Sequence, residues 1–148
     1  MEAALRIFLD ANILFSAAKS DGAVRQLLRE LHAEGHILVA DGYVAAEAKR
    51  NIAAKGTGDG GDYLQALLAR IEVNAVHYTA EAGSAADWLP EKDRPVLLAA
   101  IACKCDVLVT GDRAHFGPGY GHAFDGVTVH SPAQLALAIW GAQQGQPA

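Results

Sequence analysis

The chain has 148 residues, enough for one domain with a sizeable core, and its 51% hydrophobic and 20% charged residues are the proportions of a folded globular protein. No apolar run approaches the roughly 20 residues of a membrane span. Met1-Glu2-Ala3-Ala4 carries no basic-then-apolar leader, so a cytoplasmic protein without membrane contact is expected. The net charge of -5 counts against broad phosphate binding through a basic stripe, but not against a metal-dependent nuclease, whose ions invert the local charge.

In chain order, the first element is the apolar run Leu5-Arg6-Ile7-Phe8-Leu9, which ends on Asp10 and continues into Ala11-Asn12-Ile13-Leu14. Its length and composition fit a strand buried on both faces, with Arg6 the one discordant residue near its outer end. Ser20-Asp21-Gly22 is a turn and cap signal. Val24, Leu27, Leu28 and Leu31 then follow helical spacing, and Gly35 closes the segment. Ile37-Leu38-Val39-Ala40 is a second strand. Asp41 caps a helix whose apolar stripe is Val44, Ala48 and Ile52.

Lys55 to Asp62 reads as a flexible loop. Its glycines match neither GxxxxGK[ST] nor a strand-borne GxGxxG, which rules out a nucleotide-binding loop. A helix over Tyr63–Ile71, a third strand over Val73–Thr79 and a short helix over Glu81–Leu89 follow. Pro95 suits the first turn of a helix carrying Val96, Leu97, Ala100 and Ile101. Cys103 and Cys105 have no second Cys/His pair at ligand spacing, so they read as small core residues in a reducing compartment. Val107-Leu108-Val109-Thr110-Gly111-Asp112 repeats the opening pattern, an apolar strand ending on an acid. Gly117, Gly119 and Gly121 mark a loop, Val127-Thr128-Val129 is the last strand, and Ser131-Pro132 opens a helix with Leu135, Ile139 and Trp140 inward. One domain over residues 1–142 and a disordered tail over 143–148 are expected. Strands alternating with helices imply an α/β fold, a mostly parallel sheet covered on both faces.

Four acids stand apart by position. Asp10 and Asp112 end strands at the edge where open α/β sheets carry their sites. Glu47 lies beside the apolar stripe of its helix, and Asp93 leans toward the core side of the helix it opens. Each has a plainer reading: Asp10 and Asp93 as caps, Glu47 as a partner of Arg50 or Asn51. Four such acids on core-facing edges are more economically explained by one cation site, since buried charge is costly unless paired. Hard oxygen ligands suit Mg²⁺ or Mn²⁺, which activate water and neutralise a phosphodiester leaving oxygen. Asn12, Thr110 and, more weakly, Ser16 are candidates to orient the ligands. Lys49, Arg50, Lys92, Arg94 and Arg113 each lie within three residues of a proposed ligand and form a candidate phosphate-binding rim despite the negative total. His115, near Asp112, is a candidate to touch substrate, although a lone loop histidine is more often solvated.

These pieces resemble the PIN-domain family. The resemblance rests on Phe8-Leu9-Asp10-Ala11-Asn12-Ile13-Leu14, on Glu47, and on Lys92-Asp93-Arg94-Pro95-Val96-Leu97-Leu98-Ala99-Ala100-Ile101 leading into Cys105-Asp106-Val107-Leu108-Val109-Thr110-Gly111-Asp112. It implies a Rossmann-like three-layer fold with strand order 3-2-1-4-5. It also implies a Mg²⁺- or Mn²⁺-dependent endoribonuclease acting on single-stranded or structured RNA, with Asp10, Glu47, Asp93 and Asp112 as catalytic metal ligands. The chain length is similar to that of VapC-type toxins, which implies a homodimer restrained by a small antitoxin. Glu91 is the alternative to Asp93 as third ligand, and Asp106 matches a position that is structural in the family. Two other readings are a different metal-dependent phosphoesterase, acting on DNA or a small phosphate ester, and a catalytically degenerate PIN binding module.

Overall fold

The computed structural model describes residues 4–55, 58–76 and 84–144. The opening apolar run forms β1 (Arg6–Leu9) in the middle of a sheet. Its flanking partners are β2 (Ile37–Asp41) and β4 (Val107–Val109), both parallel to it. β3 (Glu72–Asn74) extends the sheet beyond β2, and β6 (Val127–His130) extends it beyond β4. These five strands follow the expected 3-2-1-4-5 order. A sixth, β5 (Ala123–Phe124), pairs antiparallel with β6 at the edge and was not anticipated. Its hairpin turns on Asp125 and Gly126, both at positive φ (49° and 86°). Two consecutive positive φ values are what a two-residue hairpin turn requires, and Asp-Gly supplies them at low strain.

The helices are α1 (Ala11–Lys19), α2 (Ala23–Ala33), α3 (Gly42–Lys55), α4 (Gly60–Arg70), α5 (Arg94–Ala102), α6 (Arg113–Phe116) and α7 (Pro132–Gln144). α1 is hidden in the sequence because its buried Ala11, Ile13 and Leu14 continue the apolar run of β1. The chain turns at Asp10, whose side chain accepts from the Ala11 amide and so caps the helix. α1 packs against α2, α3 and α4. α7 opens with a reciprocal cap: the Gln134 amide donates to Ser131 Oγ and the Ser131 amide to Gln134 Oε1, both at 3.1 Å.

Phe8, Leu9, Leu97, Leu108 and Phe116 are fully buried. Each such side chain contributes about 1.5–3 kcal/mol relative to exposure, which holds the strand ends in fixed register. Arg6, discordant in an apolar strand, reaches across β2 and binds Glu72 with two hydrogen bonds of 3.0 and 2.7 Å, at the sheet edge away from Asp10.

Some elements differ from expectation. Gly60–Asp62, read as loop, is the first turn of α4; Gly60 sits so close to Ile52 that a Cβ there would lie 3.3 Å from its Cδ1. The rest of that loop includes residues 56 and 57, outside the described residues. The third strand covers only Glu72–Asn74, and residues 77–79 of the expected run also lie outside. In place of the short helix expected over Glu81–Leu89, Ser84–Trp88 forms turns, with residues 81–83 outside. α7 runs to Gln144, and residues 145–148 of the expected tail lie outside as well. Among the described residues, no helix is long and apolar enough to cross a membrane.

Candidate active site

Because β1 and β4 are register neighbours (Leu9 opposite Val109), their ends deliver Asp10 and Thr110 side by side. The Asp10 amide extends the ladder by donating to the Val109 carbonyl at 3.1 Å. The Asp10 carboxylate is almost wholly buried. Its Oδ1 accepts from the Ala11 amide at 2.7 Å, and its Oδ2 from Thr110 Oγ1 at 2.7 Å and Asn12 Nδ2 at 3.2 Å. Thr110 Oγ1 in turn accepts from the Asp112 amide at 3.1 Å, and Asn12 Oδ1 from the Gly111 amide at 2.8 Å. Asn12 and Thr110 therefore tie the loop carrying Asp112 to the end of β1. Tyr120 Oη adds a bond to the Thr110 carbonyl at 2.9 Å. Ser16 is half-buried one turn beyond Asn12 and, among the described residues, joins no side-chain hydrogen bond.

Burial pushes the Asp10 carboxyl up to about 6, the hydrogen bonds from Thr110 and Ala11 pull it back, and the charges of Glu47 and Asp93 push it up again. Those last two effects place Glu47, on α3, and Asp93, at the entry to α5, within electrostatic reach of Asp10. Asp93 is raised as well, first by burial; the His115 charge opposes this and the Asp112 charge adds to it. Glu91 is exposed, whereas Asp93 lies with Asp112 and His115 in a group whose ligand atoms fall within 4.8 Å of one another.

His115, weighed between a substrate contact and a solvated loop histidine, faces the acids. On α6, one turn after Asp112, it places Nδ1 2.9 Å from Asp93 Oδ2 and 3.0 Å from Asp112 Oδ2. Neither approach is aligned as a hydrogen bond: Asp93 Oδ2 and His115 Nδ1 are both buried without a hydrogen-bond partner. A buried carboxylate oxygen with no aligned donor, grouped with Asp112 and within electrostatic reach of Asp10, fits a divalent cation.

Two tyrosines frame the site and escaped the sequence reading. Tyr43 Oη donates to the Lys92 carbonyl at 3.2 Å, linking α3 to the turn that carries Asp93. Burial raises its phenol foremost, and the charges of Glu47, Asp93 and Asp10 raise it further. Tyr120 is raised by burial too; among lesser influences, Arg113 opposes the rise and Asp112 and Asp10 add to it. Tyr43 precedes Glu47 by four residues on one helix face, and that spacing was the signal available.

Lys49, Arg50, Lys92 and Arg113 are exposed. Arg50 acts electrostatically on Tyr43, Lys92 on Asp93 and Arg113 on Tyr120, so these three border the acids. Arg94 turns the other way: its guanidinium donates to the Leu89 carbonyl at 3.0 Å and the Asp87 carbonyl at 3.3 Å, fastening the turn before Asp93. Asp106 accepts from the Arg6 amide at the opposite sheet edge.

Comparison with solved structures places the fold. VapBC2 from Rickettsia felis, bound to a DNA fragment from its promoter, is 17% identical with a TM-score of 0.63, covering 86% of this chain and 98% of that one. The FitAB complex bound to the IR36 DNA fragment is 15% identical with a TM-score of 0.58, covering 85% and 94%. VapC20 of Mycobacterium tuberculosis, a sarcin-ricin loop cleaving toxin, is 13% identical with a TM-score of 0.55, covering 80% and 98%. No curated protein sequence matches the chain. The PIN domain family matches residues 6–114, a span that runs from β1 through Asp112, so the chain belongs to the PIN-domain family.

Proposed function

We propose that the chain, acting as one domain over residues 1–142, is a metal-dependent endoribonuclease that hydrolyses phosphodiester bonds of single-stranded or structured RNA. The observation that carries this reading is the convergence on Asp10: a buried carboxylate, already costly to ionise, with Glu47 and Asp93 close enough to make it costlier and Asp112 tied to it through Thr110. Such an arrangement is unfavourable alone and favourable around a divalent cation.

Asp10, Glu47, Asp93 and Asp112 would hold Mg²⁺ or Mn²⁺, with Asn12 and Thr110 fixing the first and last of these acids. Bound there, the cation supplies an activated water and charge neutralisation at the scissile phosphate. Arg50, Lys92 and Arg113, with Lys49 beside Arg50 on α3, meet the flanking phosphates; such contacts position a strand without reading its sequence. With water as the nucleophile, the protein contributes geometry and charge rather than a covalent intermediate.

A cytoplasmic toxin, working as a homodimer and restrained by a small antitoxin, is the setting we infer. The likeness of the fold to VapBC2, FitAB and VapC20 supports it. The neighbour that cleaves the sarcin-ricin loop favours RNA over DNA or a small phosphate ester. A degenerate binding module is disfavoured by the presence of all four acids.

The test is cleavage of labelled single-stranded RNA and DNA pools by wild type and Asp10→Asn, in Mn²⁺ or in EDTA. Metal-dependent cutting that the substitution removes supports the reading. Equal cutting by both, or preferential cutting of DNA, overturns it.

A further inference from the structure

The geometry around His115 points to more than an acidic site. We propose that His115 Nδ1 is itself a metal ligand, completing with Asp93 and Asp112 a nitrogen-bearing site that prefers Mn²⁺ or another first-row transition ion to Mg²⁺. This rests on the metal-dependent reading above and adds a ligand that an all-carboxylate site lacks.

Three observations carry it. The ring nitrogen faces two carboxylate oxygens from different elements, Asp93 Oδ2 at 2.9 Å and Asp112 Oδ2 at 3.0 Å. Neighbouring donors on one octahedral ion with bonds of about 2.1 Å stand about 3 Å apart. Adjacent ligands also point at the shared ion rather than at each other, so their mutual alignment is poor. That is the relation seen here: Asp93 Oδ2 and His115 Nδ1 approach closely, yet both are buried without a hydrogen-bond partner. A charged imidazole acting only as an ion-pair partner would gain most by pointing its N–H at one oxygen. Finally, the position is set by the fold. Asp112 caps α6 by accepting from the His115 amide at 3.2 Å, which holds the two residues one turn apart on the same face.

The donor set then decides the ion. Carboxylates alone suit Mg²⁺ and Mn²⁺ alike, whereas an imidazole nitrogen favours borderline transition ions over the hard Mg²⁺. Mg²⁺ also gives up its waters reluctantly, which disfavours a site that fills several positions from protein.

The experiment is pulsed electron paramagnetic resonance of the full chain loaded with Mn²⁺, together with calorimetric titration of Mn²⁺ and Mg²⁺, on wild type, His115→Gln and Asp93→Asn. Circular dichroism verifies that each variant folds, and the wild-type nitrogen signal needs no variant. The expected result is nitrogen modulation from a coordinated imidazole in wild type. In His115→Gln the modulation disappears, and Mn²⁺ affinity falls at least about tenfold while Mg²⁺ affinity changes much less. Mn²⁺ bound without nitrogen modulation, or modulation and selectivity unchanged in His115→Gln, overturns the ligand assignment. In that case loss of Mn²⁺ in Asp93→Asn still leaves the acidic site standing. Failure of wild type to bind either ion overturns both readings.

Discussion

Trp88 fills the space where a side chain at position 119 would begin: a Cβ on Gly119 would lie 2.4 Å from Trp88 Cη2. The indole stacks on Phe124 at 4.7 Å between ring centroids and meets Phe116 edge-on at 6.1 Å. The turn that leads into Asp93 is thereby docked onto the segment that follows Asp112, and the two acids approach across that contact. Gly119→Ala is expected to destabilise the protein by about 1–3 kcal/mol, the range for overpacking, and to weaken Mn²⁺ binding in the fraction that remains folded. Trp88→Leu in the same chain should recover part of the stability by opening the space. Urea denaturation of wild type and the two variants measures this; a neutral Gly119→Ala would show that the Trp88 turn yields freely.

Asp10→Asn should separate stability from activity. Removing a carboxyl that burial raises to about 6 relieves an unfavourable charge at neutral pH, while part of its hydrogen bonding to Ala11 and Thr110 survives in the amide. In EDTA at pH 7.5 the variant is therefore expected to melt at or above the wild-type temperature, against the usual loss of about 1 kcal/mol for a buried substitution. With Mn²⁺ the order should reverse, because only wild type gains stability from the ion. Thermal melts in EDTA and in Mn²⁺ test both halves.

The basic residues near the acids should fall into two groups. Arg94→Ala removes donors to the Leu89 and Asp87 carbonyls, so it is expected to lower the melting temperature and the activity together. Arg113→Ala leaves an exposed position and should leave stability within about 0.5 kcal/mol. It should weaken RNA binding and reduce the salt dependence of binding by about one phosphate contact. Binding isotherms at several salt concentrations, beside melting curves, separate the two.

The acid limb of stability should carry a signature of the Arg6–Glu72 pair. The Arg6 guanidinium, helped by Asn74, holds the Glu72 carboxyl down at about 2, below its ordinary 4.5. A carboxyl lowered on folding contributes stability that is complete above its unfolded value and is lost as pH falls from about 4.5 through about 2. With the Glu72 side chain 39% exposed, solvent screening limits the contribution to about 1 kcal/mol or less. Glu72→Gln should lower stability modestly at pH 6 and converge with wild type near pH 2. Denaturation free energies across that range check the sign.

The strands and most helices were legible in the sequence because local pattern specifies them. Apolar runs of strand length and stripes at helical spacing survive into the fold as β1, β2, β4, α2 and α3. α1 was not legible, since its apolar residues follow β1 without a break and only the cap at Asp10 marks the boundary. The β5–β6 hairpin was legible in principle, from Asp125-Gly126, but a two-residue strand has no period to detect.

At the candidate site, the sequence by itself determined which acids end strands or edge helices, and hence that Asp10, Glu47, Asp93 and Asp112 were the residues to consider. Only the tertiary structure decided how they meet. Seating β4 beside β1 brings Thr110 onto Asp10 across 100 positions of chain, and the docking of Trp88 brings Asp93 to Asp112 and His115. It also turned Arg94 inward and brought His115, one turn from Asp112 on α6, against Asp93 of a different element. The physical reason is range: hydrogen-bonded turns and amphipathic periods act over a few residues, whereas the packing that buries Asp10 and leaves Asp93 Oδ2 without a donor exists only once distant elements close on one another.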